Sequence, residues 1–130
     1  MIDKIALLHM ENGKILTTRS KGKDAFYFPG GKREGTESDL QTLVREIKEE
    51  LTVDILPESA ELYGVFEAQA HGKAEGIVVR MTCYTSRFTG QIQPDHEIEE
   101  LRWITTADMD IVSPVDKLIL ADLKARGLIE

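Results

Sequence analysis

Residues 28–53 constrain the fold more than any other stretch of the chain. They read Phe-Pro-Gly-Gly-Lys-Arg-Glu-Gly-Thr-Glu-Ser-Asp-Leu-Gln-Thr-Leu-Val-Arg-Glu-Ile-Lys-Glu-Glu-Leu-Thr-Val. Leu40, Leu43, Val44, Ile47 and Leu51 recur at helical spacing and form one buried stripe. Glu46, Glu49 and Glu50 stand at i, i+3 and i+4, so they share an adjacent face, with Arg45 on its other flank. Ser38 with Gln41 three residues on predicts a capping box at the helix start. Just before the helix, Gly30 and Gly31 permit unusual backbone angles and close approach of a ligand. Three carboxylates crowded on one helix repel one another, and a divalent cation is the usual neutraliser. Glycines and acids together suggest a metal-assisted site for a phosphate-rich substrate.

The remaining sequence sets bounds on this reading. A chain of 130 residues is expected to fold as one domain, 1–130, long enough to bury about two-thirds of its surface. The net charge of −7 argues against general affinity for a nucleic-acid polymer, which needs a basic stripe. It fits a site that brings cations to a polyphosphate, and it equally fits plain solubility. The one cysteine, Cys83, excludes an internal disulfide framework. It keeps step with Ile77, Val79 and Met81, as a buried core thiol would. The N-terminal apolar run lacks a cleavage pattern and a spanning length, so no membrane contact and a cytoplasmic location are expected.

Strands are predicted over 5–10 and 14–19, joined by the Asn12-Gly13 turn, and over the short aromatic run 26–28. Further strands are predicted over 62–70, 77–88 and 99–104. Ser113-Pro114 followed by Asp116 starts a second helix, with Val115, Leu118, Ile119 and Leu123 as its buried face and Gly127 beyond its end. Strands, helix, strands, helix imply an α/β fold with a mixed sheet covered by a helix on each side.

The 28–53 segment resembles the Nudix box, G-x5-E-x7-R-E-U-x-E-E-x-G-U, where U is aliphatic. Gly31 is its first glycine, Glu37 its first glutamate, and Arg45, Glu46 and Ile47 its R-E-U. Glu49 and Glu50 supply the acidic pair and Val53 the final aliphatic residue. The match spans 23 of 130 residues, with every charged position in register. Thr52 stands where the pattern has glycine, and Thr36 departs from many members in the turn. The resemblance implies an α/β/α sandwich that hydrolyses a diphosphate bond in a nucleoside diphosphate-linked compound. A nucleoside triphosphate pyrophosphohydrolase is the leading expectation for so short a chain. A non-catalytic nucleotide-sensing module of the same fold is the alternative, although such modules usually lose box glutamates. An isoprenoid diphosphate isomerase would need a catalytic cysteine, and Cys83 lies on an apolar strand face.

By the same resemblance, Glu46, Glu49 and Glu50 bind Mg²⁺ or Mn²⁺, joined by the Gly30 carbonyl. One of the three glutamates also serves as a candidate general base, and the sequence does not choose among them. Arg45 orients a neighbouring glutamate, and Glu37 with Gly31 supports the loop and helix. Glu97, six residues before Trp103, completes the metal site or assists the water, with Glu99 and Glu100 competing for that role. Arg19 and Lys32 are candidate substrate contacts. Phe28 is either a pocket wall or, more simply, a core aromatic. Thr52-Val53 suits direct entry into extended chain, so the helix is expected to end without a left-handed residue. The partner is a small nucleoside phosphate, and oligomeric state stays open, a homodimer included.

Overall fold

The computed structural model describes residues 1–130. Four strands form one sheet in the order β4 (Gly30–Lys32), β1 (Ile2–Leu7), β7 (Val78–Thr85), β6 (Glu61–Gln69). Strand β1 runs parallel to β7 and antiparallel to β4, so the sheet is mixed. A second sheet has the order β2 (Met10–Glu11), β3 (Lys14–Ser20), β9 (Ile98–Ile104), and β5 (Asp54–Ile55) pairs with β8 (Phe88–Thr89). The helices are α1 (Asp39–Leu51) and α2 (Pro114–Ala125). Neither helix is long and apolar enough to cross a membrane.

The sandwich follows from side-chain alternation in β1, whose successive residues point to opposite faces. Ile5 and Leu7 join Leu43, Ile47 and Leu51 of α1 in one core cluster. Ala6 and Leu8 join Ile119, Leu120 and Leu123 of α2 in the other. Leu43, Ile47 and Leu51 are fully buried, and each such side chain contributes roughly 1.5–3 kcal/mol. Cys83 is buried in the α2-side cluster, as its strand phase predicted.

Three predicted strands are divided or displaced. The 5–10 run crosses from one sheet to the other, because Leu8 N–H still bonds Tyr84 O while His9 O already accepts from Leu16 N–H. It therefore appears as β1 and β2, and the 77–88 run likewise as β7 and β8. Residues 26–28 make only single bridges, Tyr27 to Thr18 and Phe26 to Val112, while Phe26 and Phe28 bury their rings. The paired strand in this region is β4, formed by the glycines themselves. The second helix begins and ends as predicted, with Gly127 at φ 72° just past its end. Its buried face is rotated, however: Leu118 is 48% exposed, and Asp116 and Leu120 take the inward positions.

Helix α1 starts with the predicted capping box. Ser38 Oγ accepts from Gln41 N–H at 3.1 Å and Gln41 Oε1 accepts from Ser38 N–H at 2.8 Å. Its other end corrects the sequence expectation. Thr52 is left-handed, at φ 63° and ψ 18°, with its N–H on Lys48 O. The bend turns Val53 inward, where it is fully buried beside Leu51. The last carbonyls are capped from the following loop, Leu51 O by Gln93 N–H at 2.9 Å and Glu50 O by Asp95 N–H at 3.1 Å. The Thr52 hydroxyl donates to Leu51 O at 2.6 Å and faces Gln91 O and Gln93 O at 3.4 and 3.5 Å. Burial of Val53 and these caps outweigh the left-handed penalty, roughly 1–2 kcal/mol for a residue with a side chain.

Thr52→Gly relieves that penalty but loses the hydroxyl contacts, so stability should hold or rise by up to about 1 kcal/mol. Thr52→Val keeps the strain and loses the hydroxyl, and should cost roughly 1 kcal/mol. Urea midpoints of the three proteins check the order Gly, Thr, Val; a valine variant as stable as the parent would refute it.

Candidate active site

Glycines, helix and loop meet along β4. Arg45, on α1, clasps Glu37 with two parallel bonds, Nε to Oε2 at 2.8 Å and Nη2 to Oε1 at 2.9 Å. Its Nη1 donates to Glu46 Oε1 at 2.9 Å and its Nη2 to Lys32 O at 3.1 Å. The Arg45 bonds come first among the causes that hold the Glu37 carboxyl down at about 2, followed by the Glu34 N–H. The guanidinium is itself pushed further above its usual range, first by Glu37 and then, against burial, by Glu46.

The two glycines have different steric reasons. Gly30 sits at φ 143°, and a Cβ there would collide with the Ile5 carbonyl oxygen. A Cβ on Gly31 would collide with the carboxyl group of Glu46. Glycine at 31 therefore makes room for the acid, while glycine at 30 makes room for the strand β1 backbone.

Glu50 is 6% exposed and accepts from Gly30 N–H at 3.1 Å. Burial pushes its carboxyl up to about 8, the Gly30 bond opposes the rise, and the charges of Glu46, Glu97 and Glu49 add to it. Burial also raises Glu46, against the pull of Arg45. Glu46, Glu50 and Glu97 line one cleft of about 730 Å³, together with Gly30, Gly31 and Lys32. Glu49 is not in the cleft wall; its half-exposed carboxylate lies 3.6 Å from Arg45 Nη1, and its charge reaches both neighbours. Of the competing loop acids, Glu99 and Glu100 are engaged by Arg19, at 3.4 and 3.3 Å. That leaves Glu97 as the one that faces the box glutamates.

These side chains are not closed into a ready-made cage, and no three acids or histidines are gathered to hold a metal ion. The donor set nevertheless fits a hard divalent cation: it is all oxygen, and partly buried carboxylates repel one another across the cleft.

The other candidates divide. Lys32 lines the cleft. Phe28 is both a core aromatic, 3% exposed, and part of the cleft wall. Arg19 is not brought to the cleft. It is held by Glu99, Glu100 and the Lys23 carbonyl, because Glu100 is its cross-strand partner in β9.

Sequence reasoning missed the inner end of the cleft, where Lys4, Tyr27 and Ser113 line the wall. Behind them lies Asp116, fully buried. Neither Asp116 oxygen nor the Ser113 hydroxyl has a hydrogen-bond partner. The Ser113 hydroxyl and the Phe28 N–H lie near enough to favour the ionised form without closing a full bond. Burial prevails and pushes the Asp116 carboxyl up to about 7, against these and the Lys4 charge. The signal available was an aspartate three residues before Ile119 on an apolar helix face.

The NUDIX domain family matches residues 4–123. The chain is 30% identical over 108 residues to the CTP pyrophosphohydrolase of Escherichia coli (strain K12), covering 79% of this chain and 75% of that protein. Among solved structures, the solution structure of the E. coli ORF135 protein superposes with a TM-score of 0.74 at 28% identity, covering 97% of this chain and 92% of the other. A MutT NUDIX hydrolase from Burkholderia pseudomallei superposes with a TM-score of 0.71 at 23% identity, over 92% and 95% of the two chains, and shows the same fold.

Two outcomes follow from this geometry. Gly31→Ala should displace the Glu46 carboxyl and lower turnover about tenfold or more, with the melting temperature little changed, because groups that orient a functional carboxylate typically matter by 10–100-fold. Wild-type turnover from that variant would show that Glu46 need not lie where it does. Asp116 titrates at about 7 when folded against 3.8 unfolded. A raised carboxylate gives stability that is full below the unfolded value and lost as pH rises through the folded one. Asp116→Asn should therefore gain stability over the parent between pH 4 and 7, by up to about 4 kcal/mol at roughly 1.4 kcal/mol per unit. Denaturation curves at several pH values check it, and a pH-independent difference would refute it.

Proposed function

This chain belongs to the NUDIX domain family and is a Nudix hydrolase, and from that premise we propose that it is a nucleoside triphosphate pyrophosphohydrolase. Water adds to a phosphorus of the triphosphate, and a nucleoside monophosphate, pyrophosphate and a proton leave. The observation that carries this reading is one cleft whose lining combines the acids Glu46, Glu50 and Glu97 with the partnerless Ser113 hydroxyl. A nucleotide has the matching polarity: a polyanionic tail and a base whose edge carries hydrogen-bonding groups.

At the acidic end Glu46, Glu49, Glu50, Glu97 and the Gly30 carbonyl would hold Mg²⁺ or Mn²⁺. When bound, the cation draws charge from phosphate oxygens and lowers the pKa of a water. The chain's own residues do the rest. Gly30 and Gly31 let the phosphates approach the backbone, and Lys32 offers them a cation. Arg45 keeps Glu46 aimed into the cleft through its bond to Oε1. The proton released from the attacking water goes to one of the carboxylates that reach the cleft, Glu46, Glu50 or Glu97.

At the inner end the Ser113 hydroxyl lines the cleft and lacks a partner in the protein, and a base edge would supply one, with the Asp116 carboxyl buried behind it. Cytidine triphosphate is the first substrate to try, because a relative at 30% identity is a CTP pyrophosphohydrolase.

A screen of nucleoside triphosphates with Mg²⁺ or Mn²⁺ should release pyrophosphate, and excess EDTA should abolish turnover while circular dichroism stays unchanged. Glu50→Gln and Glu49→Gln should each cost at least ~10²-fold in turnover, the size associated with losing a metal-binding or proton-transfer group. Lys48→Gln, whose partner is the exposed Asp54, should change little. Full activity in EDTA, or orthophosphate as the only product, would overturn the proposal.

A further inference from the structure

We infer that Lys4 determines base specificity, its ammonium donating to a carbonyl oxygen of the substrate's base and so favouring cytosine, guanine and uracil over adenine. The inference rests on the nucleotide reading of the cleft given above.

Residues alternate along β1 and the extended Leu8 just after it, so Ile2, Lys4, Ala6 and Leu8 share one face. Ile2, Ala6 and Leu8 all pack in the apolar cluster on the α2 side. Lys4 is the one charged residue in that row, and the cleft is the opening into which it reaches. An ammonium in such surroundings loses hydration, which is costly without compensation. Yet Lys4 makes no hydrogen bond and no salt bridge: carboxylates act on it only through their field, and its closest aromatic neighbour is the Tyr27 ring, 5.3 Å from Nζ to the centroid. Its donors are thus left for something that enters the cleft.

The surroundings also say which part of the ligand that is. Asp116 exerts the strongest attraction on Lys4, ahead of Glu50 and Glu46. Geometry agrees: Lys4 shares the sheet face of Ala6, which packs on α2 where Asp116 is buried, whereas Glu46, Glu49 and Glu50 stand on α1, so Lys4 belongs more to the inner end than to the acidic end. Lys32, its cross-strand partner on β4, repels it. A lysine has three donors and no acceptor, so it pairs with an acceptor on the base. Cytosine, guanine and uracil carry exocyclic carbonyl oxygens, which accept strongly. Adenine has ring nitrogens and an amino donor only, and that amino group would face a cation.

Equilibrium binding of CMP, GMP, UMP and AMP to the parent and to Lys4→Met tests this without requiring turnover. The parent should bind the three carbonyl-bearing monophosphates more tightly than AMP. Lys4→Met should weaken those three about tenfold or more, the loss expected for a charge-assisted hydrogen bond, and leave AMP within about threefold. Lys4→Gln, which keeps an N–H donor, should recover part of the preference. Melting temperatures establish that the variants fold. Equal weakening of all four would assign Lys4 to the phosphate or to structure, and unchanged binding would remove it from the site; either result overturns the inference. A protein that binds with this preference but hydrolyses no triphosphate would sink the proposed activity and leave Lys4 in place.

Discussion

The contact on which the site depends is the Arg45 fork. One guanidinium spans Glu37 in the loop, the Lys32 carbonyl in β4 and Glu46 on its own helix, all within 2.8–3.1 Å. An exposed ion pair contributes little, typically 0–1 kcal/mol. This one differs in geometry, because two parallel bonds fix the plane of the guanidinium and leave its remaining N–H groups aimed at Lys32 and Glu46. The loop is therefore tied to the helix at the point where the glycines bring backbone and acid together. Arg33, in the loop just after β4, repeats the device, joining Asp3 of β1 to Asp39 of α1 and bonding the Glu37 carbonyl. With both arginines in place, the segment between strand and helix has little freedom to move away from the cleft.

That anchoring also explains how Glu50 remains tolerable. A carboxylate with 6% exposure is destabilising unless its charge is answered. Here the answer is partial: one backbone N–H from Gly30, opposed by three nearby acids. The fold holds this carboxyl where its ionised form is unfavourable, by packing of its helix, since Ile47 and Leu51 are fully buried. A site under such repulsion gains from any divalent cation it binds, which is the physical sense of putting acids on a rigid helix instead of a loop.

Much of this was legible in the sequence because it is local. The capping box, the acidic face and the Arg45–Glu46 neighbourhood lie within one helix and one loop, where spacing translates directly into geometry. Glu97 was narrowed down only by its competitors: Glu99 and Glu100 lie on β9 beside Arg19, a register no linear pattern records. The same register removed Arg19 from the cleft. Lys4 and Asp116 were illegible for a stronger reason. Each looks like an ordinary polar residue within an apolar element, and they are brought near one another only because α2 packs on the sheet face to which Lys4 points. Thr52 was misread because propensity favours extended chain for threonine, whereas the tertiary demand was to bury Val53.

The left-handed Thr52 has a consequence beyond its own strain. The bend exposes the last carbonyls of α1 to the following loop, and Gln93 and Asp95 cap them. Asp95 N–H bonds the carbonyl of Glu50, and Glu97 follows two residues later. The Lys21 N–H bonds the Glu97 carbonyl at 2.7 Å from the other side. So the loop acid is positioned by the end of the helix whose face carries the box glutamates. The main chain of Glu50 holds the segment that brings the Glu97 side chain toward the Glu50 carboxylate. Two acids that repel through their side chains are thus held in one site by main-chain hydrogen bonds on either side of the loop.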